Sequence, residues 1–181
     1  MRMLDTDASD VSPRSVPVIA INPVHRPSPR LTAAACAAGA LGVLELPVGD
    51  GAQREAAEHL DCADRWTARP FGVRIRPGCP VTAGDLPASA GTVVLADPAR
   101  SPGEFGGRRV LVEATGLEEA RRAVASGAHG IIVRGTESGG RAGELSTFVL
   151  LQHVLAARGG ADDALPEDLP VWACGGIGPH T

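Results

Sequence analysis

Short runs of β-branched and aliphatic residues alternate along this chain with longer Ala-rich stretches, the pattern of strands alternating with helices around a parallel sheet. Residues 16–21 predict a first strand. Ser28 then suits an N-cap and Pro29 a first helical position, so 29–38 predicts a helix that Gly39 stops. Further strands are predicted at 42–46, 71–75, 92–96, 109–114, 130–134 and 170–174. Between them, 51–66 predicts a helix with Ala56, Leu60 and Ala63 on one face, and 117–126 another, with Thr115 as N-cap and Gly127 at its end. A last helix is predicted at 145–157. Pro77, Pro80 and Pro87 leave only about one helical turn between the third and fourth strands, so that crossover is abbreviated.

Seven strands in this rhythm fit an open doubly wound sheet or a (β/α)8 barrel. The glycines favour the barrel. They cluster after the sixth and seventh strands, at the rim where barrels bind phosphate, whereas the turn after the first strand, Asn22-Pro23-Val24-His25-Arg26-Pro27, has none. The expectation is an α/β TIM-type barrel truncated after its seventh strand, the N-terminal portion of a larger domain or a shortened form of it. Residues 1–15 would be a flexible tail and 16–181 the incomplete barrel.

Length and composition narrow the options. At 181 residues one domain is expected, and 44% apolar with 21% charged residues describes a foldable chain. A formal charge of −4, with every cation an arginine, offers no basic field for nucleic acid. Cys36, Cys62, Cys79 and Cys174 form no C-x-x-C pair, so zinc has no support and buried reduced thiols are expected. The N-terminal residues lack the apolar core of a signal peptide, and no apolar run approaches membrane-spanning length; a cytoplasmic protein is expected.

The candidate chemistry lies in Gly135-Thr136-Glu137-Ser138-Gly139-Gly140-Arg141-Ala142-Gly143, directly after the sixth strand, and in Gly175-Gly176-Ile177 after the seventh. Unhindered backbone amides are good phosphate ligands, and only glycine brings the main chain that close without a Cβ clash. Each loop alone is equally well a tight connection. Together with Asn22-Pro23, the 29–35 segment Pro-Arg-Leu-Thr-Ala-Ala-Ala and Ala173-Cys174, however, they resemble in order and spacing the nitronate monooxygenase family. That family includes FMN-dependent enoyl-acyl-carrier-protein reductases, and the wording is most similar to members attached to polyketide or polyunsaturated fatty-acid synthases.

The resemblance implies an FMN-binding barrel with the flavin phosphate on Gly139, Gly140, Gly175 and Gly176, and Asn22 and Pro23 against the isoalloxazine ring. It also implies an acyl thioester or acyl-carrier-bound substrate, NAD(P)H as reductant in the reductase version, and the rest of a larger synthase polypeptide as partner. One position departs from the family. Where its members carry a catalytic histidine after the Gly-Gly pair, this chain has Arg141, which stays protonated and cannot abstract a proton. Arg141 remains available to bind an anionic substrate or stabilise developing charge. His25 and His180 fall in predicted rim loops, with His25 the substitute base, whereas His129 falls at the opposite end. Glu137 is either a substrate contact or a partner for Arg141, and core packing suffices to explain Cys174 and Phe148. Two other readings stand beside the flavoenzyme: a non-catalytic segment of a multidomain synthase, and another phosphate-binding TIM barrel.

Overall fold

A computed structural model describes residues 18–159 and 164–176; the predicted tail and His180 lie outside them. Seven strands form one all-parallel sheet in chain order: β1 (Ile19–Ile21), β2 (Leu41–Glu45), β3 (Gly72–Ile75), β4 (Thr92–Leu95), β5 (Arg109–Ala114), β6 (Gly130–Arg134) and β7 (Val171–Cys174). The helices α1 (Pro29–Ala37), α2 (Ala52–Trp66), α3 (Leu117–Ala125) and α4 (Thr147–Ala156) fill four of the six crossovers. Single 3-10 turns, Ala83–Asp85 and Pro102–Phe105, fill the two after β3 and β4. This is the curled wall of a TIM-type barrel, in which each strand pairs with its sequence neighbours.

The alternation along each strand builds the two faces of that wall. Leu41, Val43, Val94, Leu111 and Ile132 form the inner cluster, with Ile19, Ile21, Trp172 and Cys174 packed against it. Their strand neighbours face outward. Leu44, Val73, Ile75, Val93 and Leu95 join the cluster under α1 and α2, where Ala56, Leu60 and Ala63 pack as their spacing predicts. Ala114, Ile131 and Val133 join the one under α3 and α4. At the lower end of the barrel the Arg109 guanidinium stacks 5.2 Å from the Trp172 ring, and the Val110 N–H donates to His129 Nδ1.

Several local expectations are corrected. Ser146 caps α4, its Oγ accepting from the Val149 N–H at 3.3 Å, so that helix starts two residues later than the apolar pattern suggests. The N-cap of α3 is Gly116 rather than Thr115, because the Thr115 N–H and hydroxyl are both donated to Glu119, each at 2.8 Å. Phe148 is 68% exposed, since α4 docks through Thr147, Leu150 and Val154. Cys36 and Cys79 are buried free thiols whose pKa values burial pushes up, but Cys62 and Cys174 are only half-buried. Among the described residues no helix is long and apolar enough to cross a membrane.

Candidate functional site

The loops after β6 and β7 are built against each other and against the start of α4. A Cβ on Gly135 would sit 2.0 Å from the Thr147 backbone nitrogen, so only glycine lets α4 begin directly over the end of β6. The Cys174 carbonyl accepts from the hydroxyls of both Ser138 and Thr147, the latter at 3.1 Å. Gly175 has φ +108°, and a Cβ there would lie 2.8 Å from the Ser138 nitrogen, so this contact also requires glycine. The β1 loop completes the rim. A Cβ at Gly140 would lie 3.5 Å from Val24 Cγ2, in ordinary contact.

The N–H groups of Gly139, Gly140, Gly175 and Gly176 donate to no other described residue. Four unclaimed donors on two adjacent loops form a surface suited to anionic oxygens. Asn22, at the end of β1, adds a fifth. It is 2% exposed, and its Oδ1 accepts from the Ser28 N–H at 2.8 Å and the Thr32 hydroxyl at 3.4 Å, while its Nδ2 has no partner. Pro23 and His25 are exposed on the same loop. His25 adopts φ +62°, with its Nδ1 3.4 Å from Arg76 Nη2, and nothing in its surroundings marks it as a base.

Below this rim lies a layer of buried charge. Arg74 Nε and Nη2 donate to the two Glu113 oxygens at 2.8 Å each, and its Nη1 to Glu45 Oε2 at 3.1 Å. Arg76 pairs with Glu45 Oε1, and Arg134 Nη1 donates to Glu113 Oε1 at 2.9 Å. Burial alone would pull the Arg74 pKa down, but its bonds to Glu113 and Glu45 outweigh this and hold it above the ordinary value. Burial pushes Glu45 up against the opposing pull of Arg74 and Arg76. Sequence reasoning assigned none of these residues a role, although four of the seven strands, β2, β3, β5 and β6, carry a charge near the C-terminal end of an apolar run: Glu45, Arg74, Glu113, Arg134. Buried charges of opposite sign on neighbouring strands are expected to pair, and that was the available signal.

Arg141 and Glu137 part company. Arg141 Nη1 donates to Glu119 Oε1 and Oε2 at 2.7 and 2.9 Å and to Thr115 Oγ1 at 3.2 Å, and its Nη2 donates to the Glu113 carbonyl at 3.0 Å. Glu137 instead accepts from the Thr147 N–H at 2.9 Å and lies 3.1 Å from the Thr147 hydroxyl, whose one proton is shared with the Cys174 carbonyl, so the alternative pairing with Arg141 is not made. The Thr147 N–H lowers the Glu137 pKa. Glu137 therefore takes the positive end of α4 for itself, with its Oε1 3.5 Å from the position of a Gly176 Cβ. A cavity of about 210 Å³ between the β4 loop and α3 is lined by Asp97, Arg100, Glu119, Arg122 and Arg141 but by none of the glycines.

These features define a parallel (β/α) barrel wall with an amide-lined rim after its sixth and seventh strands. Its likenesses agree with that class. The chain superposes on the structure of FabK from Thermotoga maritima with a TM-score of 0.69 and 28% identity, over 90% of this chain and 51% of that one. A nitroalkane oxidase from Streptomyces ansochromogenes shares the fold, with a TM-score of 0.67 and 23% identity over 90% of this chain and 59% of the other. A curated relative, the (3aS,4S,5R,7aS)-5-hydroxy-7a-methyl-1-oxo-octahydro-1H-indene-4-carboxyl-CoA dehydrogenase of Rhodococcus jostii, is 30% identical over 161 residues, 82% of this chain and 41% of the relative. No family model matches the chain. The chain thus spans about two-fifths of the curated relative and about half of the two structures. The two structural likenesses agree on the barrel fold that the strand order shows.

Proposed function

We propose that this chain forms the cofactor-holding part of an FMN-dependent oxidoreductase of the nitronate monooxygenase and enoyl reductase type, acting on acyl thioesters. The observation that carries the reading is the set of amides at Gly139, Gly140, Gly175 and Gly176 that donate to no described residue, on a barrel wall like that of FabK. The residues present fit a phosphate-bearing ligand. The four glycine amides would hold the phosphate, and Asn22 Nδ2, a buried donor without a partner, would meet an acceptor on the ligand near Pro23. Glu137 works against the phosphate from beside Gly176, so affinity there falls to the amides rather than to the α4 dipole. When bound, FMN supplies the capacity to accept and pass on a hydride.

The side chains favour a reductase over a nitronate oxidase. The Arg141 guanidinium offers only donors and is committed to Glu119 and the Glu113 carbonyl, and His25 stands exposed beside Arg76. Neither is built to take a proton from a carbon acid, whereas reduction of an enoyl group makes no such demand on them, with NAD(P)H as the reductant. The CoA thioester in the name of the curated relative supports an acyl thioester, free or carrier-bound, as the substrate class. An acyl carrier or the remainder of a synthase polypeptide is the corresponding partner.

The test is spectroscopic. Purified protein titrated with FMN should develop the flavin absorbance of a bound chromophore, and anaerobic NAD(P)H should bleach it. Bleaching by a nitronate but not by NAD(P)H would replace the reductase reading with the oxidase one. Failure to take up FMN would favour the non-catalytic synthase segment.

A further inference from the structure

Arg134 and Arg141 bracket the glycine loop, one immediately before Gly135 and the other immediately after Gly140, and both end on Glu113. Arg134 Nη1 reaches the Glu113 carboxylate at 2.9 Å, while Arg141 Nη2 reaches the Glu113 carbonyl at 3.0 Å. Each arginine makes a second attachment. Arg134 Nη2 donates to the Gly139 carbonyl, within the loop, and Arg141 Nη1 fastens the far end to Glu119 at the start of α3. Glu113 is itself fixed from behind by the two-pronged bond from Arg74. A Cβ at Gly140 would lie 3.9 Å from Nη2 of both Arg74 and Arg134, so the crest of the loop rests on this buried layer.

We propose that Arg134 and Arg141 are positioning residues that, through Glu113, hold residues 135–140 in the shape that leaves the Gly139 and Gly140 amides free for a ligand phosphate. A loop with this much glycine has many conformations, and in most of them those amides would point elsewhere. The bonded carbonyl of Gly139 fixes the peptide plane that carries the Gly140 N–H. Arg141 thereby serves the loop's geometry rather than the reaction itself. A planar guanidinium with several donors can tie two partners at once, which an ammonium does less well. The phosphate clause rests on the flavin reading above; the bracket itself does not.

The experiment compares R134M, R134K, R141M and R141K with wild type, and uses R121M as a control on the exposed Arg121–Glu118 pair of α3. Hydrogen exchange of the peptide covering 135–143 is measured without ligand, followed by dissociation constants for FMN and for riboflavin, which lacks the phosphate. In both methionine variants exchange in this peptide should rise roughly tenfold, the equivalent of one charge-assisted hydrogen bond, with β2 peptides unchanged. FMN affinity should fall by about the same factor while riboflavin affinity changes less than about twofold. The lysine variants should recover part of both effects, and R121M should show neither. Should R134M fail to fold, R134K and the half-exposed R141M carry the comparison. Unchanged exchange in R141M and R134K would overturn the bracket. Faster exchange with FMN and riboflavin weakened equally would overturn its link to the phosphate. If wild type binds neither flavin, the proposed function falls and the exchange arm alone judges the bracket.

Discussion

The middle of the barrel wall and its two outer strands are written in the same kind of sequence yet sit in different environments. Every residue of β2, β3, β4 and β6 is buried, whereas every residue of β1 and β7 is only half-buried. The segments Ile19-Ala20-Ile21 and Val171-Trp172-Ala173-Cys174 are as apolar as Thr92-Val93-Val94-Leu95. A strand's own residues decide which face each side chain takes, but burial comes from neighbours, and β1 and β7 each pair with one strand among those described. The difference bears on the candidate site. The ionic layer hangs mainly from the closed middle strands, while the amides of Gly175 and Gly176 follow β7, at the open seam.

The hardest way to break the closed wall is to remove its central anion. Glu113→Ala leaves Arg74 and Arg134 buried without their shared carboxylate, and urea unfolding should show a loss of about 3–5 kcal/mol. A truncation pair then measures the contrast directly. Leu111→Ala on the inner face of β5 should cost about 2–5 kcal/mol, and Ile19→Ala on the same face of β1 less than half as much; equal losses would show that the seam is as tightly packed as the wall.

A smaller effect is expected from acid. Burial pulls the Glu119 pKa upward, but the hydrogen bonds from Arg141 and Thr115 outweigh it, leaving the carboxyl below its ordinary value. The contribution of this pair is complete above the usual glutamate range and is lost as pH falls through the lowered folded value. Exchange of residues 135–143 should therefore accelerate on acidification more in wild type than in Glu119→Gln, once corrected for intrinsic rates. Smallest is Glu137→Gln, which removes a negative charge beside Gly176 at an exposed position: FMN affinity should rise about twofold, and riboflavin affinity should stay constant.

Much of the wall was legible in the sequence because strand alternation and helix spacing are local properties. The pattern predicted all seven strands, the abbreviated crossover after β3, and the buried face of α2 at Ala56, Leu60 and Ala63. The site was less legible because its decisive pairings join distant elements. Nothing local distinguishes Glu119, twenty-two positions away, from Glu137, four away, as the partner of Arg141. The choice falls to Glu119 because the Thr147 N–H claims Glu137 once α4 begins over Gly135. The charges near the C-terminal ends of β2, β3, β5 and β6 were visible, but their meaning required knowing that all four meet inside one barrel. Phe148 was misread for a related reason: an apolar residue on a helix says little about which face the helix presents to the core.

The stacking of Arg109 on Trp172 gives the open seam an optical signature of its own. Of the two indoles in the chain, Trp66 ends α2 near solvent beneath Arg30, while Trp172 belongs to β7 and the inner cluster. With Trp66 replaced by phenylalanine, the remaining emission would come from a single chromophore on an outer strand of the barrel. Its wavelength would then follow the polarity of the seam, and any strand that settles against β7 would be seen as a shift to the blue.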